Sequence, residues 1–293
     1  MNRSIFDYAS VSDQEYVEYC NDRLLEHGVT DEKISLVGNS CSLGRYVIVN
    51  STNGIIRYYN FRLQGFGFSQ GLAFVADKIA SAYHIGEVSL QHGDIVVDVG
   101  ANTGDLELYL RLNDLRCSYV GIEPAPMEFQ CLKKNVSDQY HSQALNLALG
   151  QHSGLSQFYL SPESGDSSCV PPASYSEVIN ISIVTLDELL PKIIKTYPAQ
   201  QLKLLKLEAE GYEPEIIAGA KNVISLFPFV SADLGWERGP SNQTTAPVVV
   251  NSLLSIGFTI AAIGRERLTI LFKNSSLPSG LSKTHKDEII CFG

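Results

Sequence analysis

Apolar and polar residues follow two periods along the chain, and together they predict a parallel sheet covered by helices. Between residues 94 and 235, short apolar runs alternate with segments whose apolar residues recur at helical spacing. This alternation is typical of an α/β fold with helices on both faces of its sheet. The predicted strands are 94–99, 118–123, 144–149, 202–208 and 229–235, and the predicted helices include 102–112, 126–136 and 213–224. Two β-like runs within residues 257–274, separated by a Gly-Arg-Glu-Arg turn, predict an antiparallel hairpin at the sheet edge.

Residues 1–70 lack this alternation and are predicted to form an N-terminal extension. A helix is expected over residues 13–27, followed by Gly28 as a C-terminal cap. A β-hairpin is expected around Asn53-Gly54, a dipeptide that tolerates positive φ. A further helix from residue 72 leads into the first strand of the sheet. We therefore divide the chain into an extension, residues 1–70, and a main domain, residues 71–293.

A Ser, Gly and Pro-rich stretch interrupts the sheet pattern after the third strand. Two β-like runs, 156–160 and 180–184, flank it and predict an insertion beside the main sheet. Its loop, residues 161–179, is interpreted either as a cover over the acceptor side or as an idle surface loop. Thr185 and Glu188 have capping-box spacing for the next helix, which Pro191 is expected to end or kink.

Charge and composition narrow the classes of partner. The 293 residues carry a formal net charge of −10, so a basic surface for nucleic acid is not expected. The six cysteines form no C-x-x-C pair, and hence predict neither a zinc site nor a disulfide framework. No apolar run reaches the roughly 18 residues of a membrane span. These features predict a cytoplasmic protein without a membrane span, and they favour a neutral or cationic small molecule as its partner.

The stretch DIVVDVGANTGD, residues 94–105, carries the first candidate binding site. In open α/β sheets the ligand lies beyond the carboxyl ends of the strands, at the first strand-to-helix turn. A dinucleotide fingerprint needs a central glycine that this turn lacks, and the carboxylate of Asp98 suits a cationic ligand such as S-adenosylmethionine better than a pyrophosphate. The predicted cofactor-binding residues here are Asp98, Gly100, Asn102, Thr103 and Gly104.

Two further strand ends extend this candidate site. Glu123 follows the second strand, 25 residues after Asp98, where an acidic side chain can accept the hydroxyls of a ribose. Asn146 is assigned to the end of the third strand and is interpreted either as a group that addresses an adenine edge or as a turn former. We include both residues in the predicted cofactor site.

The successive motifs resemble those of the FkbM family of S-adenosylmethionine-dependent methyltransferases. The matching stretches are DIVVDVGANTGD, GIEP, NLALG, TLDELL and LLKLEAEGYEPEIIAGA, within residues 90–273. The resemblance implies a class I, Rossmann-like methyltransferase fold with a mostly parallel seven-stranded sheet. It also implies S-adenosylmethionine as cofactor and O-methylation of a carbohydrate or natural-product hydroxyl.

Two positions depart from the family pattern. The family has Lys-Ile-Asp-Val-Glu-Gly where this chain has Lys206-Leu207-Glu208-Ala209-Glu210-Gly211, and a family glutamate on the fifth strand corresponds to Asp233. The exchange at residue 208 leaves open an alternative function, a noncatalytic nucleotide-binding or scaffold protein that keeps the methyltransferase fold. An NAD-dependent oxidoreductase is disfavoured by the glycine spacing.

The end of the fourth strand supplies the candidate catalytic residues. Lys206, Glu208 and Glu210 stand at alternate positions, so on a continuing strand their side chains share one face. Glu208 is the first candidate for the base that deprotonates a hydroxyl, Glu210 the second, and Lys206 a charge-balancing partner. The alternative is an ion-pair network that only secures the strand. His152 is a further candidate base, and no spacing of ligands predicts a metal site.

Overall fold

A computed structural model of the chain describes residues 12–37, 46–61, 67–137, 139, 141–161 and 166–277. Seven α-helices are found in these ranges: α1 (Asp13–Glu26), α2 (Leu72–Ala82), α3 (Asp105–Leu112), α4 (Pro126–Val136), α5 (Leu186–Thr196), α6 (Glu213–Ala218) and α7 (Ala246–Ser255). None of the helices in the described residues combines the length and apolar character needed to cross a bilayer.

The strands of the described residues fall into four sheets. In chain order they are β1 (Glu32–Val37), β2 (Tyr46–Ser51), β3 (Ile56–Asn60), β4 (Asp94–Val99), β5 (Ser118–Ile122), β6 (Gln143–Leu145), β7 (Ala148–Leu149), β8 (Gly154–Leu160), β9 (Glu177–Val184), β10 (Gln201–Leu207), β11 (Phe229–Asp233), β12 (Trp236–Arg238), β13 (Gln243–Thr244), β14 (Phe258–Ile263) and β15 (Thr269–Asn274).

The central sheet has seven strands in the order β14-β15-β11-β10-β4-β5-β6. Of these seven, β15 runs in the opposite direction to the other six. The strand order reverses beside β4, so the carboxyl ends of β4, β5 and β10 meet at the point where α/β sheets bind ligands. This arrangement confirms the predicted class I methyltransferase fold with its antiparallel C-terminal hairpin.

Both faces of the central sheet are buried, because its strands have consecutive apolar residues whose side chains point to opposite faces in turn. Ile95, Val97 and Val99 pack in a cluster with buried residues of α5, α6 and α7. Val96 faces the other way and packs with α2, α3 and α4. Asp98 shares the face of Val96, since successive side chains point to opposite sides of a strand. Asp98 is the penultimate residue of β4, and its carboxylate therefore belongs to a strand that is buried along its whole length.

The N-terminal extension packs against the helices of the main domain. Its strands form a separate antiparallel sheet in the order β1-β2-β3, which includes the predicted hairpin around Asn53-Gly54. Helix α1 begins at a capping box formed by Ser12 and Glu15, as its sequence favours. The extension shares a buried core with α2 and with Leu108 of α3. The boundary at residue 70 remains a prediction.

The insertion forms a small third sheet in the order β7-β9-β8. The segment predicted as one strand, 144–149, is divided: β6 belongs to the central sheet and β7 to the insertion. Pro191 lies inside α5 and does not end it, because the helix continues to Thr196; the alternative, a kink at Pro191, stays a prediction. Of the loop 161–179, residues 162–165 lie outside the described residues.

Candidate active site

The turn after β4 has three left-handed residues at alternate positions. Gly100, Asn102 and Gly104 have φ angles of 68°, 50° and 87°. Glycine is required at position 100 for a second reason, since a Cβ there would overlap the carbonyl oxygen of Glu208. The turn therefore lies directly against the residue that follows β10.

Glu123 directly follows β5 and its side chain contacts this turn. Its Oε2 accepts a hydrogen bond from the amide of Asn102 and its Oε1 from the amide of Ala125, both at 2.8 Å. Only 6% of the residue is exposed. Burial, and then the charge of Glu128, raise the pKa of Glu123 to about 8, although the two amides act in the opposite direction. The carboxyl group is thus fixed in orientation at the sheet edge.

Asn146 holds the backbone at and after Glu123 through its side-chain amide. Its Nδ2 donates to the carbonyl oxygens of Glu123 at 2.9 Å and of Pro124 at 3.2 Å. These contacts favour the interpretation of Asn146 as a residue that holds a turn, and no contact of this side chain points to an adenine edge.

A cavity of about 680 Å³, measured with its open mouth, lies at the carboxyl ends of β4, β5 and β10. Its walls come from the glycine turn, the β5 end, the insertion and the segment after β10. The lining residues include Gly100, Asn102, Glu123, Ala148, Leu149, Phe158, Ser167, Cys169, Glu208, Glu210, Tyr212 and Ile216. The insertion therefore lines the same cavity as the predicted ribose-binding Glu123.

Asp98 and Lys206 lie behind this cavity and do not line it. They are register partners on β4 and β10, and the Lys206 Nζ lies 3.0 Å from the Asp98 Oδ1. The other carboxylate oxygen of Asp98 accepts a hydrogen bond of 2.7 Å from the Tyr119 hydroxyl. Lys206 also donates to the Gly100 carbonyl at 2.9 Å and contacts the Glu208 Oε2 at 3.0 Å. Since these three contacts use all three ammonium hydrogens, Lys206 positions its neighbours.

Arg267, in the turn between β14 and β15, extends this network across the sheet. Its guanidinium lies 3.0 Å from Glu208 and 3.5 Å from Glu237, and it also pairs with Asp233. Burial alone would raise the pKa of Glu208, but Lys206 and Arg267 outweigh it and hold that pKa below its ordinary value. For Glu208, these contacts favour the ion-pair interpretation over a role as the base.

Glu210 differs from Glu208 in its surroundings. It lines the cavity on a left-handed backbone with a φ of 48°, an uncommon conformation for a residue other than glycine. Burial, followed by the charges of Glu237 and Glu208, raises the pKa of Glu210 to about 10. Strained backbone and a perturbed carboxyl group together are typical of functional sites.

The remaining candidates take other positions. Thr103 and Gly104 form the second half of the turn and contact the N-terminal extension through their carbonyl oxygens. His152 is exposed on the surface. No group of three or more His, Cys, Asp or Glu side chains within the described ranges could hold a metal ion.

The sequence did not indicate Arg267 and Arg57, which contact this region from distant segments. The Gly-Arg-Glu-Arg turn between two β runs was visible in the sequence, and it could have suggested a basic residue near the adjacent strand ends. No local signal marks Arg57.

Comparison with known proteins identifies the domain. Residues 98–230 match the family described as the methyltransferase FkbM domain. No curated protein matches the chain. Among solved structures, Aeropyrum pernix fibrillarin in complex with S-adenosyl-L-methionine is 14% identical with a TM-score of 0.40, over 82% of this chain and 99% of that one. M. capricolum TrmK in complex with S-adenosyl-homocysteine is 11% identical with a TM-score of 0.36, over 66% of this chain and 68% of that one. The chain carries an FkbM domain and is an S-adenosylmethionine-dependent methyltransferase.

Proposed function

We propose that this methyltransferase transfers the methyl group to a hydroxyl of a carbohydrate or natural-product acceptor, with Glu210 as the base. One observation carries the proposal. Glu210 lines the cavity beside the glycine turn, whereas two cations bind the carboxylate of Glu208. A hydroxyl acceptor needs a group that takes its proton in the transition state, and Glu210 is placed for this task.

The residues of the cavity fit S-adenosylmethionine. The carboxyl group of Glu123 would accept the ribose hydroxyls, and the backbone of Gly100 and Asn102 would approach the amino-acid end. Apolar side chains of Leu149 and Phe158 would pack against the adenine. The bound cofactor supplies an electrophilic methyl group on a sulfonium centre. Asp98 and Lys206 would support this site from behind through the Gly100 carbonyl.

Glu210 acts in two protonation states. With its raised pKa it holds a proton in the ligand-free protein at neutral pH. It would release this proton to solvent when the cationic cofactor binds, because a nearby positive charge favours the carboxylate. The carboxylate then accepts the proton of the acceptor hydroxyl. Glu208 stays ionised throughout and anchors the segment that carries Glu210.

The charge around the cavity supports a neutral or cationic acceptor. Glu208, Asp233 and Glu237 surround Arg267, so carboxylates outnumber cations in this cluster. Phosphate groups would be repelled there, in agreement with the net charge of −10. We therefore propose a small-molecule or glycan acceptor and no nucleic acid.

The test follows the transferred carbon. The purified chain is incubated with S-adenosylmethionine labelled with ¹³C at the methyl group and with separate pools of saccharides, hydroxylated polyketide-type compounds and RNA. Nuclear magnetic resonance then distinguishes methyl carbons bound to oxygen, nitrogen and carbon. O-methylated saccharide or polyketide product is expected. Products methylated only at nitrogen or carbon, or methylated RNA alone, would overturn the proposal.

A further inference from the structure

We propose that Arg57 of the N-terminal extension is a positioning residue for cofactor binding, because it holds the second half of the glycine turn in place. The inference rests on the proposed role of this turn in the cofactor site. Arg57 belongs to β3, outside the matched FkbM domain, and none of it is exposed. Through this turn, the extension would contribute to cofactor binding.

Arg57 contacts both the turn and two carboxylates, since its Nη2 also lies 3.9 Å from the Asp105 Oδ1. Its Nη2 donates to the carbonyl oxygens of Gly104 at 2.7 Å and of Thr103 at 3.1 Å. Its Nη1 donates to the Glu107 Oε2 at 2.7 Å. A contact that only fastened the extension to α3 would need the Glu107 pair alone. The two carbonyl contacts instead fix the orientation of consecutive peptide groups in the turn.

Asn135 of α4 holds the same part of the turn. Its Nδ2 donates to the Thr103 carbonyl at 2.8 Å, and it forms hydrogen bonds with both the amide and the carbonyl of Tyr58 in β3. The carbonyl of Thr103 thus accepts from the extension and from α4. The turn is held by groups from two separate elements.

The turn needs such support because its backbone is unfavourable in isolation. Asn102 is left-handed without being glycine, and its amide is the donor that orients Glu123. Thr103 follows Asn102 directly, so rotation of the peptide groups of Thr103 and Gly104 would redirect the Asn102 amide. Loss of the Arg57 contacts should therefore reach the cavity through Asn102 and Glu123.

The test separates positioning from stability. Arg57→Met alone would leave Glu107 buried without a partner, so the main variant is Arg57→Met with Glu107→Leu, which removes both charges and keeps the packed volume. Arg57→Lys keeps the charge opposite Glu107 but lacks the planar fork that reaches two carbonyls. Asn21→Ala is the matched control, since Asn21 joins α1 to β1 inside the extension and contacts no residue of the turn. Glu123→Ala reports on the cofactor site itself.

The measurements are the Kd for S-adenosylhomocysteine by calorimetry and the Tm of each variant. We expect the double variant to raise the Kd about tenfold, the size of loss that follows removal of a supporting contact, with a smaller rise for Arg57→Lys. We expect Asn21→Ala to lower the Tm and leave the Kd unchanged. If the double variant does not fold, Arg57→Lys decides the question.

Two results would overturn the inference. One is an unchanged Kd in the double variant, or in Arg57→Lys where that variant decides, and the other is an equal rise in Asn21→Ala. In either case Glu123→Ala must still weaken binding. If Glu123→Ala also leaves the Kd unchanged, the proposed cofactor site is the part that fails.

Discussion

The ammonium of Lys206 lies 3.0 Å from the carboxylate of Glu208, and the same ammonium contacts Asp98 at 3.0 Å. Lys206 is only 2% exposed, so the lysine is a buried bridge between the ends of β4 and β10. On its other side Glu208 contacts Arg267. A carboxylate between two cations is a weak base, because both charges stabilise its ionised form. The carboxylate of Glu208 is thus part of an ion-pair network.

Replacement of the two glutamates by glutamine should separate catalysis from structure. We expect Glu210→Gln to lower kcat by about 10²-fold or more, the contribution of a general base, with little change in the Kd for S-adenosylmethionine. We expect Glu208→Gln to act mainly on the Tm, since Lys206 and Arg267 each lose part of their charge balance. Steady-state kinetics and thermal unfolding measure the two effects.

The paired variants control for each other, because both keep the size of the side chain, remove its charge and replace one acceptor oxygen with an NH₂ donor. A large loss of kcat in Glu208→Gln with normal kcat in Glu210→Gln would reverse the assignment and restore Glu208 as the base.

Glu210 should also make stability depend on pH. Its pKa is about 10 in the folded chain and 4.5 in its ordinary state, so between these values the folded chain holds a proton that the unfolded chain releases. The free energy of unfolding therefore falls as pH rises through this window. Glu210→Gln should show a shallower fall. Denaturant unfolding at about pH 5.5, 7 and 8.5 tests the difference, and parallel curves for the two proteins would contradict it.

Much of the fold could be predicted from local patterns, because hydrophobic periodicity and the residues at strand ends depend only on neighbouring positions in the sequence. The prediction of 94–99 as a strand is confirmed by β4, and α4 confirms 126–136. Helix α7 was not predicted, because valines in its sequence also suit a strand and only packing against the sheet decides the outcome. The division of 144–149 depends on Asn146, whose contacts with the β5 end interrupt the strand.

The site was predictable where it lies at strand ends and not where distant segments meet. Glu123, Glu208 and Glu210 line one cavity because the parallel strands end at the same edge. Arg267 is 59 residues from Glu208 along the chain, and Arg57 is 46 residues from Thr103. Such pairs depend on tertiary structure, which no local period encodes. The same holds for Tyr119, whose contact with Asp98 helps to make that carboxylate part of the buried network.

Glu123 and Asp98 should now respond differently to substitution. We expect Glu123→Ala to weaken S-adenosylmethionine binding by about 1.5–3 kcal/mol, the value of a hydrogen bond to a charged group. Asp98→Asn should lower stability by about 3 kcal/mol with a smaller effect on affinity, because it unbalances the buried Lys206. Calorimetric Kd values and unfolding curves distinguish the two. A larger loss of affinity in Asp98→Asn would mean that Asp98 contacts the cofactor directly.

The close approach of Gly100 to Glu208 predicts that Gly100→Ala disrupts the packing of the β4 and β10 carboxyl ends even in the ligand-free protein. A Cβ at Gly100 would overlap the Glu208 carbonyl oxygen, so the ends of β4 and β10 would have to separate. Lys206, which donates to the Gly100 carbonyl, would then lose part of its support. We expect a loss of stability above about 3 kcal/mol together with loss of S-adenosylhomocysteine binding.

Gly93→Ala is the matched control for this last prediction. Gly93 has a φ of 87°, comparable to the 68° of Gly100, but an added Cβ at Gly93 would meet no atom within 4 Å. It therefore measures the cost of the left-handed backbone alone, about 1–2 kcal/mol. Chemical unfolding of both variants gives the difference caused by the close approach. Equal losses in the two variants would show that backbone conformation alone explains the glycine, and binding retained in Gly100→Ala would show that the sheet edge tolerates the separation.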